Sequence, residues 1–355
     1  MNQDAIIPAS PVQNPSLHGC RVLVTGAGGF IGSHLVERLL AEGAKVRAML
    51  RYNSRADIGL LSLIPASVRH QIELVFGDLR DGDAVLAAMR DIDVVFHLGA
   101  LIAIPYSYQH PREVVETNVM GTLNVLMAAK TLRPARVIHT STSEVYGSAL
   151  RVPIDEEHPL QGQSPYSASK IGADKLMESF SLSYDVPLVT IRPFNTYGPR
   201  QSARAIIPTI ISQALVQDEV CLGDLTPLRD FTFVADTVDG FIRAASAHGV
   251  LGQSINLGSG KAVAMGELAA MILRLIDQSD ERKNERPNKR PVILKSDPAR
   301  FRPAKSEVHH LQADTARAFT LLGWTPSTSL EQGLLRTIDW VRRHPHYFTP
   351  DRYAL

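Results

Sequence analysis

Short apolar runs rich in β-branched residues alternate, through the first half of the chain, with longer segments in which apolar residues recur every third or fourth position. The runs Arg21–Thr25, Val46–Leu50, Ile72–Phe76, Val94–His97, Val137–Thr140 and Leu188–Ile191 read as strands. Ile31–Glu42, Asp83–Met89, Val114–Lys130 and Ser167–Tyr184 have helical spacing. Strand and helix in strict alternation predict an α/β fold, a doubly wound parallel sheet covered on both faces. Past Pro193 the rhythm changes, with more proline and glycine and shorter apolar pieces. Glu281–Arg290 is charge-dense and reads as a solvated loop, whereas the amphipathic stretch Leu330–Arg343 closes the C-terminal region. The plan that emerges is a leader over 1–18, a nucleotide-binding domain over 19–198, and a smaller mixed α/β substrate lobe over 199–355, with an interleaved boundary.

Composition changes this picture little. Hydrophobic residues form 45% and charged residues 21% of the 355 positions, the balance of an ordinary globular protein. A formal charge of +1 offers no field for nucleic acid or an anionic membrane, so any anionic ligand must be held locally. Cys20 and Cys221 are isolated thiols, and the leader, with Pro8, Pro11 and Pro15, lacks the pattern of a signal peptide. Together they predict a reduced, cytoplasmic protein without a membrane span.

The first strand runs into Val22-Leu-Val-Thr-Gly-Ala-Gly-Gly-Phe-Ile-Gly32 and then directly into a helix. Gly26, Gly29 and Gly32 let the backbone approach a pyrophosphate, with Phe30 and Ile31 opening the helix whose N-terminus faces that charge. This is the signature of a Rossmann-type nicotinamide site. The second strand ends in Arg51-Tyr-Asn-Ser-Arg55 without the acid that usually binds the ribose of NAD, so Arg51 and Arg55 argue for the phosphate of NADP. Asp78, followed by Leu79 after the third strand, suits an adenine amino group or the cap of the next helix.

Tyr166 and Lys170 share one face of a helix, a spacing at which an ammonium lowers a phenol's pKa and makes it a usable base. The fifth strand runs into Thr140-Ser-Thr-Ser-Glu-Val-Tyr-Gly147, at the carboxyl edge where such sheets bind ligands. No metal is predicted: Asp155, Glu156, Glu157 and His158 lack a second ligand set, and His309, His310, His344 and His346 read as surface residues. Ser141 and Ser143 lack the G-x-S-x-G elbow of a hydrolase.

TGAGGFIGSH, HTSTSEVYG, SPYSASK and RPFNTYGPR, with Arg229-Asp-Phe and Leu322-Gly-Trp-Thr-Pro326, resemble the extended short-chain dehydrogenase/reductase superfamily of NAD-dependent sugar epimerases and dehydratases. Within it, HLGALIAIPYSY, NTYGPRQSARAIIPTII and RPAKSEVHHLQAD are similar to nucleotide-activated N-acetylglucosamine 4,6-dehydratases of legionaminic-acid-type pathways. The resemblance implies NAD as cofactor and a nucleotide-sugar substrate. Tyr166 would deprotonate the sugar 4-hydroxyl, Lys170 would assist it and bind the nicotinamide ribose, and Thr142 would hold the 4-oxygen. Glu144 would remove the C5 proton before water leaves from C6. Ser107, Asn195, Arg200, Arg229 and Arg302 would hold the sugar and diphosphate. A homodimer through the Val114–Lys130 and Ser167–Tyr184 helices is implied too. Ser143 departs from the aspartic acid of glucose-type dehydratases, which protonates the leaving hydroxyl. Three alternatives stand beside a 4,6-dehydratase: a UDP-glucuronate decarboxylase, which carries the same Thr-Ser-Glu, a 4-epimerase, and a dinucleotide-binding redox sensor or scaffold without turnover.

Overall fold

A computed structural model describes residues 17–279 and 292–349. The Glu281–Arg290 loop and most of the leader lie outside the described residues. The leader's last two positions are part of the fold: Leu17 is buried, and the His18 ring occupies the space a side chain at Gly43 would need.

Strands β1 (Arg21–Thr25), β2 (Lys45–Leu50), β3 (Glu73–Phe76), β4 (Val94–His97), β5 (Arg136–Thr140) and β6 (Leu188–Pro193) are followed by β7 (Asn195–Tyr197), β8 (Glu219–Leu222), β9 (Leu228–Phe233) and β10 (Ser254–Leu257). Seven of them form one parallel sheet in the order β10-β6-β5-β4-β1-β2-β3. The six strands expected from the sequence are all in it, with ends that differ by no more than two residues. β4 and β6 are buried at every position, as parallel strands covered on both faces must be. The chain lays down β1, β2 and β3 in one direction and then returns to place β4 on the other side of β1. All carboxyl ends therefore point the same way, and a crevice opens where the order reverses.

The seventh strand, β10, comes from the second half of the chain and pairs with β6, so the two halves share a sheet. The rest of that half holds a four-stranded sheet in which β9 is flanked by β11 (Ala262–Ala264), β13 (His310–Leu311) and β7. A separate parallel pair joins β8 to β12 (Ile293–Ser296). The Leu330–Arg343 helix starts at a reciprocal Ser329–Gln332 cap and buries Leu334, Ile338, Trp340 and Val341 against the Ile206–Val216 and Met265–Gln278 helices. The stretch expected to be one helix over Val114–Lys130 is helical throughout, but it contains a π-turn at Glu116–Met120, between Pro111–Val115 and Gly121–Leu132. Among the described residues no helix is long and apolar enough to cross a membrane.

Asp230, fully buried on β9, ties three segments of the second half together. Its carboxylate accepts from Ser259 N (2.7 Å), Ser259 Oγ (2.6 Å), Gly260 N (2.9 Å) and Ala313 N (3.1 Å). Asp230→Ala takes the acceptor from a buried Ala313 N and from the half-buried N–H groups of Ser259 and Gly260. It is expected to lower the unfolding free energy by about 3 kcal/mol, read from the midpoint of urea denaturation; an unchanged midpoint would show that the segments are held by packing instead.

Candidate active site

The carboxyl ends of β1 to β6 surround one open cleft of ≈ 1090 Å³, lined by residues of every strand end from Thr25 to Asn195. At its floor Gly26 has a positive φ of +69°, and a Cβ there would sit 2.8 Å from the Cα of Gly99. A Cβ at Gly32 would lie 2.3 Å from the Gly26 carbonyl oxygen. Gly29 caps the Phe30–Ala41 helix without any side-chain bond, so the N–H groups of its first turn face the cleft. Bare backbone and a helix N-terminus, with Gly26, Gly29, Phe30, Ile31 and Gly32 all lining the wall, fit a dinucleotide pyrophosphate.

Further along the wall, Arg51 is largely exposed, with Glu113 at 3.8 Å. The acid missing from the end of β2 is supplied later. Asn53 Oδ1 accepts from the backbone of Arg55 and Asp57, and this turn brings Asp57 to the cleft, its carboxylate accepting from Gly59 N at 2.8 Å. Asp78 and Leu79 also line the wall. Asp78 does not cap the next helix, because Asp81 does so through Asp83 N and Ala84 N. Instead the Arg80 guanidinium grips Asp78 at 2.7 and 3.0 Å and holds its carboxyl at about 2.

The Tyr166–Lys170 pair is set by a helix start. Ser164 and Ser167 cap one another across Pro165, which places Tyr166 in the first turn of the Pro165–Tyr184 helix and Lys170 one turn on. Tyr166 lines the cleft with Thr142, and Ser143 and Glu144 follow in a short 3₁₀ turn and line it too. Lys170 lies behind, almost wholly buried. Its ammonium falls to about 8, chiefly through burial, with Asp174 one turn further pulling the other way. The expected depression of Tyr166 by Lys170 is not what the protein alone shows: burial raises the phenol, and the Thr142 hydroxyl only partly opposes it.

Asp174 anchors a buried network under the pair. It accepts from Ser141 Oγ (2.9 Å) and Arg192 Nε (3.1 Å), and it stands 3.4 Å from His139 Nε2. Next to it, Thr122 gives its proton to Asn118 O (2.6 Å), so His97 Nε2 must donate to Thr122 (3.1 Å) and His97 Nδ1 must accept from Thr25 (2.8 Å). Sequence reading missed Asn118 as well. The π-turn presents it to Leu101 N (2.8 Å), Leu101 O (2.9 Å) and Ser169 Oγ (2.9 Å), fixing the cleft wall against the catalytic helix.

Of the residues expected to hold sugar and diphosphate, Asn195, Arg229 and Arg302 line the cleft. Two do not, and both are corrected by close neighbours. Ser107 is fully buried and donates to Ile104 O (2.7 Å), while Tyr108 reaches the cleft. Arg200, held at φ +70°, turns to the Phe30–Ala41 helix and pairs with Glu37 at 2.8 Å, leaving the wall to Gln201, Ser202 and Arg204. Arg302 Nη1 lies 3.6 Å from Glu144 and 3.8 Å from Glu307, a second carboxylate that the sequence did not single out; Arg229 Nη2 donates to Glu307 at 3.0 Å.

A family model described as GDP-mannose 4,6 dehydratase matches residues 23–337. The UDP-glucose 4-epimerase of Mycolicibacterium smegmatis is 34% identical over 329 residues, 91% of this chain and 98% of that protein. UDP-glucuronic acid decarboxylase 2 of Arabidopsis thaliana is 34% identical over 327 residues, 89% of this chain and 67% of that protein. Among solved structures, DesIV from Streptomyces venezuelae, a dTDP-glucose 4,6-dehydratase with NAD and TYD bound, superimposes with a TM-score of 0.80 at 28% identity, covering 93% of this chain and 99% of its own. The chain belongs to the GDP-mannose 4,6 dehydratase family, within the extended short-chain dehydrogenase/reductase superfamily of epimerases and dehydratases.

The buried histidines carry a prediction. Burial first, then nearby cations, hold His97 well below its ordinary value and His139 at about 4. The unfolded chain then binds more protons than the fold between pH 6.5 and about 4, so stability drops as pH falls through that window. Thermal midpoints measured from pH 7.5 to 4 should decline less steeply in His139→Gln than in the parent. Parallel declines would remove His139 as a cause.

Proposed function

We propose that this member of the family is a nucleotide-sugar 4,6-dehydratase, acting on a nucleotide-linked N-acetylhexosamine to give a 4-keto-6-deoxy product. The observation that carries the reading is Glu144. Its carboxylate lines the same cleft as the Thr142–Tyr166 pair and stands 3.6 Å from Arg302, a second acid/base group beyond the one that C4 needs. The N-acetyl substituent rests on the resemblance of HLGALIAIPYSY and RPAKSEVHHLQAD. The cofactor is NAD: Asp57 offers the cleft wall a carboxylate that would repel the extra phosphate of NADP, against the expectation from Arg51 and Arg55.

In this reading Thr142 positions the sugar 4-oxygen and Tyr166 takes its proton, the resulting phenolate being stabilised by the Lys170 ammonium. NAD, which Gly26, Gly29, Gly32, Asp57 and Lys170 would hold, would supply the hydride acceptor for C4 and the hydride donor for C6. With a ketone at C4, the C5 proton is acidic enough for Glu144. Ser143 is too weak an acid to replace the aspartic acid of the glucose-type enzymes, so Glu144 passes the proton it has taken to the departing C6 hydroxyl. One proton and one hydroxide leave as water, and the sugar is left unsaturated between C5 and C6 until C6 is reduced; Tyr166 releases the proton of the 4-hydroxyl to solvent, and Glu144, protonated again from solvent, returns a proton to C5. The homodimer is part of the proposal: Met120 and Met127, two turns apart on one helix of the expected interface, are each about half exposed, at 46% and 49%. Light scattering should give twice the 38.9 kDa of the chain, and a monomer would discard it.

A second reading, 4-epimerisation, is favoured by the likeness to the Mycolicibacterium smegmatis enzyme and needs no base at C5. Incubation with UDP- and GDP-N-acetylglucosamine, GDP-mannose, UDP-glucose and UDP-glucuronate in deuterated water, followed by mass spectrometry, separates the chemistries. Loss of water with deuterium at C5 is expected, and Glu144→Gln should slow it by roughly 100-fold or more. An epimer of unchanged mass would install the second reading. Loss of carbon dioxide from the glucuronate alone would make the chain a decarboxylase, and no turnover with NAD bound a sensor or scaffold.

A further inference from the structure

We propose that Glu37, which stands on the Phe30–Ala41 helix and does not line the cleft, is a positioning residue for the nucleotide sugar: through Arg200 it holds the 200–204 segment where Gln201, Ser202 and Arg204 form the cleft wall. The inference rests on the cleft taking a dinucleotide and a nucleotide sugar, and on no particular reaction at C5 or C6.

Arg200 sits in an arrangement that stability alone does not favour. Its φ of +70° is left-handed, a region in which a side chain is strained and glycine is not. Its guanidinium is 11% exposed, and among the described residues Nη1 has no hydrogen-bond partner. Nη2 donates to Glu37 Oε2 at 2.8 Å, and this carboxylate offsets the buried cation. A glycine at this position would relieve the backbone and spare the burial of a charge. It could not reach the Phe30–Ala41 helix.

On the same helix, one turn before Glu37, His34 gives a second hold. A carbonyl oxygen can only accept, so His34 Nε2 carries the proton and donates to Pro199 O at 2.9 Å. Burial pushes this imidazole down to about 4, so it stays neutral and leaves the charge balance of Arg200 and Glu37 undisturbed. His34 packs edge-on against Phe30, in the helix turn that faces the pyrophosphate. The segment is confined from the other side as well: a Cβ at Gly198 would lie 2.7 Å from Val234 of the second half, and Gln201 Nε2 donates to Thr196 O at 2.9 Å. The helix whose N-terminus receives the dinucleotide therefore carries, one and two turns on, the wall offered to the nucleotide sugar.

Without Glu37 the Arg200 guanidinium has no charge to meet and is drawn to water, and the left-handed backbone that depends on it relaxes. Gln201, Ser202 and Arg204 then leave the cleft wall. The glycine turn that cradles the dinucleotide, two turns away at the start of the helix, is untouched.

Binding is measured on NAD-loaded Tyr166→Phe enzyme, in which chemistry is blocked, and in the same background with Glu37→Gln, with Arg200→Gly and with both. The probes are UDP- and GDP-N-acetylglucosamine, GDP-mannose, UDP-glucose and UDP-glucuronate, and the NAD retained by each variant is assayed after gel filtration. Glu37→Gln should weaken the accepted nucleotide sugar roughly tenfold while the NAD content stays at the parent's level. Arg200→Gly should do the same, and the double variant should bind no more weakly than either alone, because the two residues act as one unit. The Glu37 side chain is half-exposed, so Glu37→Gln alone decides the matter where Arg200→Gly does not fold. An unchanged affinity in Glu37→Gln overturns the proposal. So does NAD lost in step with the nucleotide sugar, which would show the helix itself disturbed, or a double variant in which the two losses add. A parent that binds none of the five probes ends the reading of the cleft and the inference with it. Failure of the dehydratase reading leaves these affinities as they are and shows only in the turnover experiment, where no deuterium would enter C5.

Discussion

The cleft depends on a contact in which there is no room for a side chain. Where the strand order reverses, the turn after β1 and the turn after β4 pass back to back, with Gly26 against Gly99 so closely that a Cβ on Gly26 would come within 2.8 Å of backbone. The left-handed φ of Gly26 then throws the chain outward, and Gly32 lets the following helix seat on the Gly26 carbonyl. Widening this contact would move the helix N-terminus away from the crevice and break the alignment of the strand ends. The acidic turn at Asp57 and the catalytic loop after β5 both hang on that alignment, because each reaches the cleft only from the carboxyl edge.

Behind the catalytic face the protein solves a second problem, how to keep an ammonium where water cannot reach it. Tyr166, Lys170 and Asp174 follow one another at single-turn intervals along one helix, so the phenol, the ammonium and its counter-ion lie on one line. Burial drives Lys170 toward neutrality and Tyr166 toward protonation, both against the roles proposed for them. Asp174 works against the first of these, and it remains ionised in spite of its burial because His139 and Arg192 also face it. A neutral histidine pair, with the tautomer of His97 fixed by two threonines, fills the remaining polar space without adding charge. The phenol is left poised above its ordinary value, and the field that brings it down must come in part from what binds in front of it.

How much of this was legible follows from sequence distance. The strands, the glycine turn, the Tyr166–Lys170 pair and the Thr142-Ser143-Glu144 run are local patterns, each complete within a few residues, and a parallel sheet follows from strict alternation. Asp57 escaped because it is delivered by a turn built on Asn53 and not by the end of β2. Ser107 and Arg200 were misplaced because a motif gives the segment that reaches a cleft but not which side chain of it turns inward; at the first, a helical back-bond consumed the hydroxyl, and at the second Glu37 took the guanidinium. Asp174, Asn118 and Glu307 carry no local signature at all. Glu307 meets Arg229 only because residues 78 positions apart are folded onto each other.

That division has a chemical meaning. The parts legible in sequence build the C4 half of the site, with the cofactor cradle, Thr142, Tyr166 and Lys170, and this half suits an epimerase, a decarboxylase or a dehydratase equally well. What distinguishes those reactions is what happens next at C5 and C6, which the proposed mechanism assigns to Glu144; in the same cleft Glu144 from the first half is met by Arg229, Arg302 and Glu307 from the second. The sheet shared through β10 and the Tyr108–Ser306–Gln163 bonds fix the two halves against each other, so this second set of charges is as well defined as the first. This chain is about one-third identical both to a protein named as an epimerase and to one named as a decarboxylase, so the shared fold does not by itself fix the reaction, which lies with the side chains placed around C5 and C6.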